Sequence, residues 1–61
     1  MTYLRSEVVE KVAESLKLSF METVSKMAGK PFQNTGVSVP DMEIWLRYAE
    51  VSVSKVEDLL S

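Results

Sequence analysis

Sixty-one residues are enough for one small domain, and 46% apolar and 26% charged residues are typical of an ordinary folded chain. The sequence has no cysteine and no histidine, which excludes disulfides, thiolate and imidazole catalysis and the usual transition-metal sites. The formal net charge of −2 lacks the basic footprint of a strong nucleic-acid binder, although it is compatible with a local basic patch.

The length of the chain predicts self-association. A chain this short buries only about 60% of its unfolded surface, so its core is marginal unless something reinforces it. Because disulfides are excluded and a zinc site is disfavoured, we expect a homo-oligomer. No apolar run approaches the roughly 20 residues of a membrane span, and no signal peptide is evident. We therefore predict a cytoplasmic protein that binds no membrane.

The first helical region is predicted to form two segments, 6–17 and 20–28. Ser6 and Glu7 suit the start of the first segment. Ser19 and Glu22 form a capping box that would start a second helix at Phe20. Helical spacing over the whole region instead suits one helix over residues 6–28, because a single stripe contains Val9, Ala13, Leu16, Phe20, Val24 and Met27. Both interpretations are open, and the capping box favours the break.

A loop over residues 30–38 is predicted to follow. Gly29 and Pro31 are conventional signals for the end of a helix. Asn34, Thr35 and Gly36 are typical of a turn within the loop.

The last helical region is predicted to form segments 39–51 and 54–60. Ser38 would cap it, with Pro40 in the first turn. Ser54 and Glu57 form another capping box after a stretch of low helix propensity, which predicts a break near residues 52–54. The apolar stripe of this region consists of Met42, Leu46, Ala49, Val53, Val56 and Leu60.

The predicted fold class is all-α, as one domain over residues 1–61. Two architectures remain open. One is a small bundle of three to four short helices, which the serine caps favour. The other is a helical hairpin that dimerises into a four-helix bundle.

Catalytic patterns are nearly absent. The acidic pairs Asp41/Glu43 and Glu57/Asp58 are one or two residues apart, so their carboxyl groups do not face each other on a helix. Gly29 and Gly36 frame no phosphate-binding loop. The sequence therefore predicts a protein that is not an enzyme and that uses no cofactor or metal.

The aromatic residues have two interpretations. Trp45 and Tyr48 flank the stripe of the last helix, whereas Ile44 and Val51 lie nearly opposite it, so the apolar arc is wider than one packed neighbour requires. The aromatic pair either completes a small core or belongs to a contact surface for a protein partner. The residues proposed for this interface are Trp45, Tyr48, Ile44, Val51, Phe20 and Met21.

Residues 12–19 (VAESLKLS) and 23–30 (TVSKMAGK) resemble the helix-turn-helix of the phage-repressor (Cro/repressor-like) family. Residues 40–49 (PDMEIWLRYA) and 56–60 (VEDLL) are similar to the last two helices of that family. The resemblance implies that residues 20–28 enter the major groove of DNA, with Lys26 and Lys30 near phosphates.

Two functional hypotheses follow. The leading one is a non-enzymatic regulatory or adaptor module that binds protein, itself included. The alternative, implied by the resemblance, is a helix-turn-helix transcription regulator that binds DNA.

Overall fold

The computed structural model describes residues 4–61, so the first three residues of the predicted domain lie outside the described part. The chain forms a helical hairpin of α1 (Arg5–Ala28) and α2 (Met42–Leu60), with a short 3₁₀-helix at Phe32–Asn34 between them. No strand occurs in the described residues, which confirms the all-α class. The predicted bundle of three to four short helices is not found there, because each helical region forms one helix.

The predicted break in the first region is wrong, because α1 runs unbroken through Lys17–Ser19. Residues 5–28 contain no glycine or proline to end the helix. Continuity keeps Phe20 on the same stripe as Val9 and Ala13, and the Phe20 ring packs against Trp45 of α2 at a centroid distance of 5.5 Å. A capping box stabilises the start of a helix by about 1 kcal/mol. The packing of Phe20 against Trp45 outweighs this contribution and keeps the helix continuous.

The two ends of α1 differ in how well the sequence predicts them. The helix begins at Arg5, and Leu4 precedes it without a side-chain cap, so Ser6 is not the cap residue. Gly29 ends the helix as predicted, since it takes the left-handed conformation at φ 69°. Its amide donates to the Ser25 carbonyl at 2.9 Å, and the Ser25 hydroxyl donates to the Lys30 carbonyl at 2.7 Å.

The predicted division of the last region is also wrong, because α2 is continuous from Met42 to Leu60. The Ser52 hydroxyl donates to the Tyr48 carbonyl at 3.0 Å, and the Ser54 hydroxyl accepts a hydrogen bond from Arg5 at 2.7 Å. These partners accommodate the two serines within the helix. The start is later than predicted, with Asp41 rather than Ser38 at the N-cap.

The core lies between the helices, and within residues 4–61 it consists of four buried residues, two from each helix. Ala13 and Ala49 are completely buried, with Val9 and Val53 beside them. Small alanine side chains at this position let the two helix backbones approach closely. The apolar residues packed around this centre are Val8, Val12, Leu16, Trp45 and Leu46.

The predicted loop folds back on the hairpin. Phe32 lies in the 3₁₀ turn, and its ring meets Phe20 edge-on at a centroid distance of 6.3 Å. The Thr35 hydroxyl donates to the Phe32 carbonyl at 2.7 Å, and Gly36 takes φ 76°. The loop thereby covers the end of the helix pair where Phe20 and Trp45 meet.

No helix among residues 4–61 has the length and apolar character needed to cross a membrane.

Candidate interaction surfaces

Of the six residues predicted for the partner interface, Trp45 and Phe20 belong to the interior of the hairpin. Trp45 is half-buried against the core, and its ring is tilted by 53° to that of Phe20. The indole Nε1 donates to the Pro40 carbonyl at 3.1 Å. Both the ring and the polar atom of Trp45 therefore have partners within the chain, as the core interpretation predicts. Met21 is half-buried on α1.

The other three residues come together on α2. Ile44, Tyr48 and Val51 are 53%, 63% and 54% exposed, and they line a shallow depression of about 400 Å³ together with Arg47. At about 100° per residue, Ile44 lies roughly 140° around the helix from the buried Ala49. We call these four residues the outer face of α2, because it points away from α1.

Electrostatic contacts on the outer face are weak. Arg47 approaches Glu43 at 3.6 Å, one helical turn away, and both side chains are more than three-quarters exposed. A solvent-exposed pair of this kind contributes a few tenths of a kcal/mol at most. Arg47 is therefore available to a carboxylate of another molecule at little cost.

A second apolar surface lies between the helices, near the end of the hairpin opposite the loop. It is a groove of about 540 Å³, lined by Val8 and Val12 of α1 and by Val53, Val56 and Leu60 of α2. We call it the inter-helix groove. The sequence interpretation missed it, although a signal was present: Val8 and Val12 form an i, i+4 apolar pair beside the main stripe of α1.

Arg5 links α1 to α2 at the same end of the hairpin. Its guanidinium donates to Glu57 at 3.1 Å, to the Ser54 hydroxyl at 2.7 Å and to Glu50. The hydrogen bond to Glu50, followed by that to Glu57, raises the pKa of Arg5 above its ordinary value. Arg5 therefore stays charged throughout the ordinary pH range, and its own titration gives stability no pH dependence there.

We expect Arg5→Gln to lower the thermal midpoint of the hairpin, because Gln cannot bridge two carboxylates at once. Added salt should shrink the difference between the two proteins, since the contacts are partly exposed and are screened. Thermal unfolding followed by circular dichroism at low and high NaCl measures both effects. The matched control is Arg47→Gln, which removes an isolated surface pair. Equal losses in the two variants would contradict a special role for Arg5.

The two lysines predicted to contact DNA lie near the C-terminal end of α1. Lys26 is exposed and pairs with Glu22 at 3.4 Å, and Lys30 follows the Gly29 helix end. Residues 20–28 continue α1 without a turn before them, and Phe20 within this segment packs into the hairpin. DNA contact through these lysines stays a prediction of the family resemblance.

The described residues contain no group of three acidic side chains arranged to hold a metal ion. The same residues carry two apolar surfaces, the outer face of α2 and the inter-helix groove. Comparison with protein-family models, curated proteins and solved structures gives no significant match to this chain.

Proposed function

We propose that this chain is a non-enzymatic regulatory or adaptor module of the cytoplasm that binds protein, itself included. The outer face of α2 is the surface for a different protein. The observation that supports this proposal is the exposure of Ile44, Tyr48 and Val51 side by side on a helix that already buries its opposite side.

The spacing of these residues fits a known mode of recognition. Ile44, Tyr48 and Val51 stand at i, i+4 and i+7, the spacing with which an amphipathic helix fills an apolar groove of its partner. Tyr and Arg are also enriched among the residues that dominate interface energies. The partner expected for this face therefore has an apolar groove with a carboxylate at its rim to meet Arg47.

Site-specific photocrosslinking in the cells that produce the protein tests this proposal. Tyr48→p-benzoylphenylalanine keeps an aromatic ring at the centre of the face, and Glu14→p-benzoylphenylalanine places the same group at an exposed position of α1. We expect a discrete adduct with another protein from position 48, at least tenfold more abundant than from position 14. Adding Ile44→Asp should remove it. Equal adducts from both positions, or none, would reject the outer face as the binding surface.

A further inference from the structure

The hairpin has one polar and one apolar side. Around α2, Glu50 and Ser54 lie on one side of the buried Val53, and there they bind Arg5. Val56 lies on the other side of Val53 and lines the inter-helix groove. Two packed helices thus form a layer in which hydrogen bonds cover the polar side, whereas no other part of residues 4–61 covers the apolar side.

The open side leaves large side chains in water. Val56 is 54% exposed and Leu60 is 83% exposed, although both belong to the apolar stripe of α2. Of the six stripe residues, two are buried in the core, namely Ala49 and Val53. A single hairpin therefore uses only part of the apolar surface that the spacing of α2 provides.

The hairpin is more extended than a compact domain of the same length. The radius of gyration is 14.1 Å, against about 10.5 Å expected of a compact domain of this length and about 13.7 Å of one twice as long. The accessible surface is 4988 Å², whereas a folded monomer of 6.9 kDa exposes about 4000 Å². The excess is on the order of the 800 Å² that each partner buries in a standard interface.

The charges permit a self-complementary contact. Among the described residues that line the inter-helix groove, Glu57 alone has a charged side chain, and its carboxylate is engaged by Arg5. Two copies can therefore meet at this surface without opposing like charges at its centre.

From these observations we infer that the inter-helix groove is occupied by a second copy of the chain. Two hairpins pack groove to groove about a two-fold axis and form a four-helix bundle, in which every helix has two helical neighbours. The inference rests on the self-association in the proposed function, but it uses a different surface, so the outer face of α2 stays open in the dimer.

Sedimentation equilibrium of the full chain over a wide concentration range is the primary test. We expect twice the monomer mass of 6.9 kDa, and a thermal midpoint that rises with protein concentration because dissociation and unfolding are linked. A monomer at all concentrations, with full helicity and a constant midpoint, would overturn the inference. This measurement needs no variant, so it does not depend on whether an isolated hairpin folds.

The valines at 51 and 56 provide a matched pair that locates the interface. Both are 54% exposed on α2, but Val56 lines the groove and Val51 lies on the outer face. Glu has a higher helix propensity than Val, so neither substitution disfavours the helix. Val56→Glu should weaken the dimer on the order of 100-fold or more, since the two-fold axis places two charges in an apolar centre. Val51→Glu should leave the dissociation constant within about threefold.

The opposite pattern, with Val51→Glu dissociating the dimer and Val56→Glu leaving it intact, would overturn the assignment of the groove. The two proposals also fail separately. If the wild-type chain forms no dimer, the adduct expected from position 48 is unaffected. If position 48 gives no adduct, the sedimentation result is unaffected.

Discussion

Trp45→Ala is expected to remove most of the free energy of unfolding of the chain at 25 °C. The indole is the largest side chain packed on a core of four buried residues, and it contacts Phe20 and hydrogen-bonds to the Pro40 carbonyl. Truncation of a packed tryptophan costs about 3 kcal/mol. A core of this size supplies no more than about 3–5 kcal/mol in total. Urea denaturation followed by far-ultraviolet circular dichroism, at one fixed protein concentration, measures the loss.

Tyr48→Ala is the matched control for Trp45→Ala, because it truncates an aromatic residue one turn along the same helix. Tyr48 is mostly exposed on the outer face, so we expect its free energy of unfolding to stay within about 0.5 kcal/mol of the wild type. Similar losses in the two variants would mean that Trp45 and Tyr48 share one environment. The division into core and interface residues would then be wrong.

Ala49→Leu should be the second most damaging substitution. Ala49 and Ala13 are both completely buried in the same cluster between the helices, which leaves no volume for a larger side chain. Overpacking of this kind costs about 1–3 kcal/mol. Leu and Ala have nearly equal helix propensities, so the loss would come from the contact between the helices and not from α2 itself.

Val51→Leu separates these two causes. It introduces the same residue type two positions further along α2, where the side chain is half-exposed. We expect no measurable destabilisation there in the same urea titration. If Ala49→Leu is as stable as Val51→Leu, the helices do not make their closest approach at Ala49.

Local signals in the sequence determined the helical class and the end of α1. Gly29 takes the left-handed conformation and ends α1, as its position before Pro31 predicts, because a helix end depends on the residues next to it. The stripe containing Ala49 and Val53 likewise identified the buried side of α2, since helical periodicity alone sets which residues share a face. The lack of cysteine and histidine limited the possible chemistry without any reference to structure.

Tertiary packing decided what local signals left ambiguous. The serine-based capping boxes at Ser19 and Ser54 favour breaks, but each lies within a continuous helix. Around Ser19 the decisive contact is that of Phe20 with Trp45, and Ser54 accepts a hydrogen bond from Arg5. Both partners lie on the other helix, so no local propensity includes them.

The candidate surfaces were likewise predictable from the sequence only in part. The width of the apolar arc on α2 was visible in the sequence, which placed Trp45 and Tyr48 beside the stripe and Ile44 and Val51 nearly opposite it. Which aromatic residue became core depended on where α1 crosses α2, since that contact buries Trp45 and leaves Tyr48 exposed. The inter-helix groove combines Val8 and Val12 with residues more than 40 positions away. Only the packing of the two helices brings them together, because periodicity orders residues within a helix and not between helices.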